Sequence, residues 1–290
     1  MGKSYLFRGV GTAIVTPFLG GRIDFDTFGR LIDLQKEEAD ALIVAGTTGE
    51  APTLSDGERD ALLTFAIERV GGKIPVIMGT GSNDTARAVA LSKRASRLGA
   101  DGVLVVTPYY NRGTGEGLRR HFLKIAEEAG APIILYNVPA RTGGNLSFAD
   151  YEALLSHPNI VGVKEAEEST EKFFMLCEAF GENKAVYTGN DTSLLPALAL
   201  GGAGVISVVS NLYPGKVRAV IRAFTCGDIA GARRGYASLF PLCRLLFRET
   251  SPAPVKEALR ILGYGSGECR LPLTAPTEAL SRLLASELQA

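Results

Sequence analysis

Apolar residues along this chain gather in short continuous runs instead of alternating with polar ones. Eight such runs recur: "GTAIVT" (11–16), "ALIVAG" (41–46), "PVIMGT" (75–80), "GVLVVT" (102–107), "PIILYN" (132–137), "IVGVK" (160–164), "AVYTG" (185–189) and "GVISV" (204–208). Continuous apolarity is what parallel strands covered on both faces require. Between the runs the pattern shifts to a helical period with recognisable starts and stops. "SDGERDALLTFAIERV" opens at Ser55 with Glu58 three residues on, which predicts a capping box. "NDTARAVALSKRASRLG" begins at Asn83 or Asp84 and ends before Gly99, and "TGEGLRRHFLKIAEEAG" stops at Gly130. Strand-then-helix units of about 30 residues, eight times over, predict an α/β protein of (β/α)8 barrel type. A doubly wound open sheet is the alternative. Beyond the eighth run the strand signal vanishes, and 216–248, 252–263 and 276–288 read as helical. The expected division is a barrel over 1–224 and a small helical region over 225–290.

Composition narrows the function classes. The 290 residues carry 31 basic and 31 acidic side chains, so no net charge draws the chain to nucleic acid or to an anionic membrane. No apolar run approaches the roughly 18 residues that span a bilayer. The N-terminal "MGKSYLFRGVGTAIVTPFLGG" has basic residues before an apolar stretch, but it lacks a small-residue cleavage site and suits a first strand better than a signal peptide. Leu6 breaks the N-myristoylation pattern. Cys177, Cys226, Cys243 and Cys269 are scattered and, with only His121 and His157 besides, predict reduced core thiols of a cytoplasmic protein and no metal site.

One residue resists the barrel pattern. Lys164 closes the run Ile160, Val161, Gly162, Val163, where an ammonium loses its hydration. Burial of this kind moves a lysine toward neutrality, so it must find a partner or serve as a nucleophile. Glu165 is adjacent in the strand and points to the opposite face, which leaves nucleophile as the reading. Most other lysines fall in amphipathic helical stretches, and Lys256 lies outside the barrel. Chemistry in such barrels gathers at the C-terminal ends of the strands. There, "GTTGE" (46–50) offers hydroxyls and backbone amides in a glycine-rich turn that suits a carboxylate, although a capped tight turn reads equally from the five residues. "YNVPARTGG" (136–144) places the Tyr136 phenol beside the lysine and Arg141 on the following loop, where a guanidinium can clamp a carboxylate. "TPYYN" (107–111) reads as interface or packing tyrosines, and the glycines of "GGAGVIS" (201–207) as a close-packing device before a strand, not a phosphate cradle.

Taken in order and spacing, "GTTGE", "TPYYN", "YNVPARTG", "GVKEA" and "GGAGVISV" resemble the dihydrodipicolinate synthases, within the pyruvate-dependent class I aldolases that include N-acetylneuraminate lyases. The resemblance runs through "RETSPAPVKEAL" and "CRLPLTAP", essentially the whole chain. It implies a Schiff base between Lys164 and pyruvate, whose enamine attacks L-aspartate-4-semialdehyde, at the entrance to diaminopimelate and lysine synthesis. It implies a proton relay of Tyr136, Thr47 and Tyr110, a pyruvate-carboxylate site at Thr47 and Thr48, a clamp at Arg141, and pocket positions at Gly189 and Ile206. It also implies a homotetramer built from dimers, with Tyr110 reaching into the neighbouring site, and no cofactor, because the protonated imine is the electron sink.

Two departures stand out. "TGND" puts Asn190 and Asp191 where the family often has two aspartates, with an expected effect confined to the rim. Family members inhibited by lysine carry a histidine and an acidic residue where this chain has Arg59 and Arg87, which predicts weak or absent inhibition. Rival readings are a sibling aldolase acting on a keto-deoxy sugar acid or N-acetylneuraminate, a pyridoxal phosphate enzyme, and a noncatalytic keto-acid-binding barrel.

Overall fold

A computed structural model describes residues 5–289. Eight parallel strands close into one barrel in sequence order: β1 Gly9–Ala13, β2 Ala41–Val44, β3 Val76–Gly79, β4 Gly102–Val106, β5 Ile133–Asn137, β6 Ile160–Glu165, β7 Ala185–Thr188 and β8 Gly204–Ser207. The helices that follow them are α1 Phe25–Glu38, α2 Asp56–Val70, α3 Thr85–Arg97, α4 Gly115–Glu128, α5 Phe148–Leu155, α6 Thr170–Phe180, α7 Leu194–Ala199 and α8 Pro214–Thr225. The open-sheet alternative is thereby excluded. A two-stranded hairpin, Phe18–Leu19 with Arg22–Ile23, separates β1 from α1. The residues from Gly9 onward in the leader-like stretch therefore form the first strand; the part of that reading resting on residues 1–4 lies outside the described residues.

Two apolar layers follow from the two-faced strands. The inner one fills the barrel with Phe7, Ile43, Ile77, Ile134, Tyr187 and their neighbours, and the outer one packs strands against helices. Phe7 and Tyr187 stack at 4.4 Å between centroids, and the Tyr187 hydroxyl donates to the Phe7 carbonyl. Close packing needs glycine at one point above all: a Cβ on Gly204 would sit 1.9 Å from the Gly9 carbonyl oxygen, so β8 and β1 could not close the barrel with any larger residue.

The expected caps are present. Ser55 and Glu58 form the reciprocal box at α2, Asp84 caps α3 and Thr114 caps α4. The expected continuous helix over 216–248 is broken: Gly227 adopts φ +84° and Asp228 caps a new helix, α9, at Ile229–Leu245. α10 (Ala253–Ile261) and α11 (Glu278–Gln289) complete the chain. The thiols are all free, but only Cys177 and Cys243 are buried in the core; Cys226, just past α8 beside the break, is exposed. Among the described residues no helix is long and apolar enough to cross a membrane.

Candidate functional site

Lys164 and Tyr136 are register partners on β6 and β5. Their inward aim depends on an irregularity. Ile133 pairs with Ile160 and Ile134 with Gly162, so Val161 is an extra residue in β6. A bulge of this kind re-aims the side chains beyond it. Val161 and Lys164 consequently both face the interior, three residues apart, while Val163 joins the outer layer. Glu165 turns outward, where Tyr151 donates to it at 2.6 Å, Asn137 donates to both its oxygens, and Lys172 lies at 3.5 Å. The adjacent carboxylate is thus fully occupied away from Lys164.

Lys164 is buried, and its Nζ stands 4.3 Å from the centre of the Tyr136 ring. Burial lowers its pKa to about 7, with Asp191 opposing that fall and Arg141 adding to it. Burial likewise raises the Tyr136 phenol, opposed by Arg141 and by the Thr47 hydroxyl. Two cavities meet at Tyr136, Val138 and Arg141. One, of about 220 Å³, is also walled by Thr47, Arg59 and Tyr109. The other, of about 520 Å³, is also walled by Gly189, Asp191 and Arg244. Lys164 lies behind the wall of the second: a Cβ on Gly189 would meet its Cε at 2.9 Å and Ala166 Cβ at 2.7 Å. Glycine there leaves room for the lysine chain.

The "GTTGE" turn leaves two of its amides uncommitted. Gly49, Glu50 and Ala51 spend their amides inside the turn, on Gly46 and Thr47 carbonyls. Those of Thr47 and Thr48 have no intrachain acceptor among the described residues. Glu50 holds the turn from behind. Its carboxylate is buried, pairs with the equally buried Lys256 of α10, and accepts from the Arg270 amide at 2.9 Å. Lys256, read as lying outside the barrel, is therefore a second buried lysine, distinguished from Lys164 by its carboxylate partner. Arg141 occupies a single helical turn, Pro139–Thr142, and donates to the Ser251 carbonyl at 3.2 Å.

The sequence-derived residues do not all converge. Tyr136, Thr47, Arg141 and Gly189 line the paired cavities, and Lys164 lies directly behind Tyr136 and Gly189 without lining either. Thr48 is buried within the turn and Ile206 within the inner layer, neither lining a cavity. Tyr110 stands apart. It is 92% exposed at φ +69°, while its neighbour Tyr109 faces the smaller cavity. Among the described residues the non-glycine positive-φ positions are Ala45, Glu50 and Tyr110, all in loops at the site's end of the barrel. Asp191 departs from the expected rim position: it is 3% exposed and faces Lys164 electrostatically, whereas Asn190 is the half-buried neighbour.

Comparison with known proteins gives this geometry a context. The profile of the dihydrodipicolinate synthetase family matches residues 6–290. The chain belongs to the dihydrodipicolinate synthetase family. Among family relatives, the 4-hydroxy-tetrahydrodipicolinate synthase of Thermoanaerobacter sp. (strain X514) is 44% identical over 98% of this chain and 96% of its own length. That of Thermotoga neapolitana is 45% identical over 98% of each chain. The crystal structure of dihydrodipicolinate synthase from Thermotoga maritima superposes with a TM-score of 0.96 at 43% identity, covering 98% of both chains.

Proposed function

We propose that this chain is a pyruvate-dependent class I aldolase-type lyase that acts as a 4-hydroxy-tetrahydrodipicolinate synthase, joining pyruvate to L-aspartate-4-semialdehyde at the first committed step of diaminopimelate and lysine synthesis. The observation that carries this reading is a buried amine without an ion-pair partner among the described residues, held near neutrality behind Tyr136, where two cavities meet. A neutral Lys164 attacks the pyruvate ketone. The C–N bond forms, water leaves, and a protonated imine remains. That imine withdraws electrons from the methyl group, which loses a proton to become an enamine nucleophile. The enamine carbon attacks the aldehyde, and the semialdehyde's own amine closes the ring and releases Lys164. The chemistry calls for no metal or organic cofactor.

Tyr136 and Thr47 carry protons in this reading, with Tyr110 supplied by a neighbouring subunit; Thr47 and Thr48 bind the pyruvate carboxylate through hydroxyls and free amides, and Arg141 clamps the semialdehyde carboxylate. Gly189 and Ile206 shape the pocket. The barrel, residues 1–224, bears the chemistry, and the helices of 225–290 brace the "GTTGE" turn through Lys256. The working form is a cytoplasmic homotetramer, a dimer of dimers, with neither nucleic acid nor membrane as partner. The test is a condensation assay with both substrates, following product formation by its reduction with a coupled reductase. Turnover of pyruvate with the semialdehyde, and none with keto-deoxy sugar acids or N-acetylneuraminate, is the expected result. The reverse preference would assign the chain to a sibling aldolase.

A further inference from the structure

Asp191 is a buried carboxylate that the proposed reaction has not used. It opens a short turn, Asp191–Ser193, two residues after Gly189 at the end of β7. One oxygen, Oδ2, accepts from the Val208 and Val209 amides, both at 2.9 Å, beyond the end of β8. The other, Oδ1, is buried with no hydrogen-bond partner among the described residues. Asp191 walls the same cavity as Tyr136 and Gly189, and Gly189 is in near-contact with the Lys164 side chain. Burial raises the pKa of this carboxyl, opposed by the Ser207 hydroxyl, the two amides and Lys164, and a buried carboxylate with one oxygen unpartnered is costly unless a cation faces it.

We propose that Asp191 is the counter-charge for the protonated imine formed at Lys164, a positioning residue acting through that lysine. This rests on the reading of Lys164 as the nucleophile. Imine formation joins a neutral amine, a ketone and one proton into an iminium and one water, so each turnover creates a fixed positive charge where only a neutral amine stood. The proton enters from solvent through the carbinolamine oxygen, which departs as water. The groups facing Lys164 are Tyr136 on β5, Arg141 on the turn after β5 and Asp191 after β7. Arg141 opposes a cation there, so Asp191 is the one anionic group among these. Asp191 in turn faces Lys164, Ser207 on β8, and Tyr236 and Cys243 on α9. Its two amide donors hold the carboxylate in place whether or not substrate is bound, so no group needs to move when the charge appears.

The alternative is a purely structural staple between the loops after β7 and β8. Asp191→Asn separates the two, because the side-chain amide oxygen still accepts from Val208 and Val209 while the charge is gone. Trapping by borohydride in the presence of pyruvate, followed by mass mapping, comes first on the wild-type chain; absence of an adduct at Lys164 would refute the functional reading itself. With the adduct present, the pH midpoint of trapping is measured in the variant. An opposite charge within about 4–6 Å is worth about 1–3 pH units, and Asp191 acts on Lys164 without forming a direct ion pair. The midpoint should therefore fall by about one unit or more, and the equilibrium fraction of imine above the midpoint, where the amine starts neutral, should drop about tenfold, with thermal unfolding little changed. If Asp191→Asn does not fold, Asp191→Ser carries the same measurement. A folded variant with an unmoved midpoint and an undiminished imine fraction would make Asp191 a staple only.

Discussion

Lys164 Nζ lies 4.3 Å from the centre of the Tyr136 ring on the neighbouring strand, so amine and phenol share one buried patch of barrel wall. In the proposed reaction the amine must be neutral to attack, and the burial that lowers its pKa also raises that of the phenol, which favours a protonated donor.

Pyruvate with borohydride should modify one residue, Lys164. Lys164→Ala and Lys164→Arg should both abolish the adduct, since arginine keeps a charge and offers no neutral amine. Lys256 is the internal control: equally buried, it is held by Glu50 and should stay unlabelled. An adduct on Lys256 would overturn the assignment.

Lys164 also taxes the fold. Its folded-state pKa is about 7 against an ordinary 10.5, so between those values the unfolded chain binds more protons and stability rises with pH. Below about pH 7 the folded protein must carry the buried charge in full, at about 1.4 kcal/mol for each unit of depression. Lys164→Met should thus be more stable than the wild type at pH 6 by a few kcal/mol, with the gap narrowing toward pH 10. Urea unfolding at the two pH values checks this; a gap that widens with pH would contradict it.

Arg141→Ala should harm the second half-reaction more than the first. Losing a bidentate carboxylate contact costs about 2–4 kcal/mol, so kcat/KM for the semialdehyde should fall by roughly 30- to 1000-fold while imine formation with pyruvate persists. Equal damage to both halves would rule out the clamp.

Tyr110, exposed in a single chain, should act in a neighbouring subunit. Mixing Tyr110→Phe with Lys164→Ala subunits restores one complete site in each mixed dimer, so two inactive preparations should regain activity together. Failure to recover, with mixed dimers verified by native mass spectrometry, would exclude a shared tyrosine.

Inhibition by lysine should be weak. Arg87 is paired with Asp56, which balances its charge, but Arg59 remains beside Tyr109 and Pro52 in the smaller cavity with its Nε unpartnered. A guanidinium about 5 Å from a ligand ammonium costs roughly 3 kcal/mol at an effective dielectric of 20. Half-inhibition at submillimolar lysine in a steady-state assay would refute this reading.

The barrel is legible because parallel strands covered on both faces must be apolar throughout, and all eight runs from "GTAIVT" to "GVISV" are barrel strands. The buried lysine is legible for the complementary reason: Lys164 ends such a run, and a lysine there has no ordinary explanation. The bulge at Val161 escapes the pattern, although Gly162 within the strand is its usual signature; strict alternation counted from the inward Val161 would send Lys164 toward the helices. Asp191 is misplaced to the rim because its burial is set by Val208 and Val209, whose amides belong to a different strand end. Lys256 escapes for the same reason. Its partner Glu50 is 206 residues away, and no local pattern announces a pair at that separation.

That long-range pair bears on how this chain can change over evolutionary time. The "GTTGE" turn after β2 is held by a cation contributed from α10, beyond the last barrel strand, and Arg270 adds a backbone amide from farther still. A recombination event that exchanged the C-terminal helices for those of another barrel would carry off both and leave Glu50 with an unmatched charge at a strained φ of +54°. The first and last thirds of the chain are bound to be inherited together.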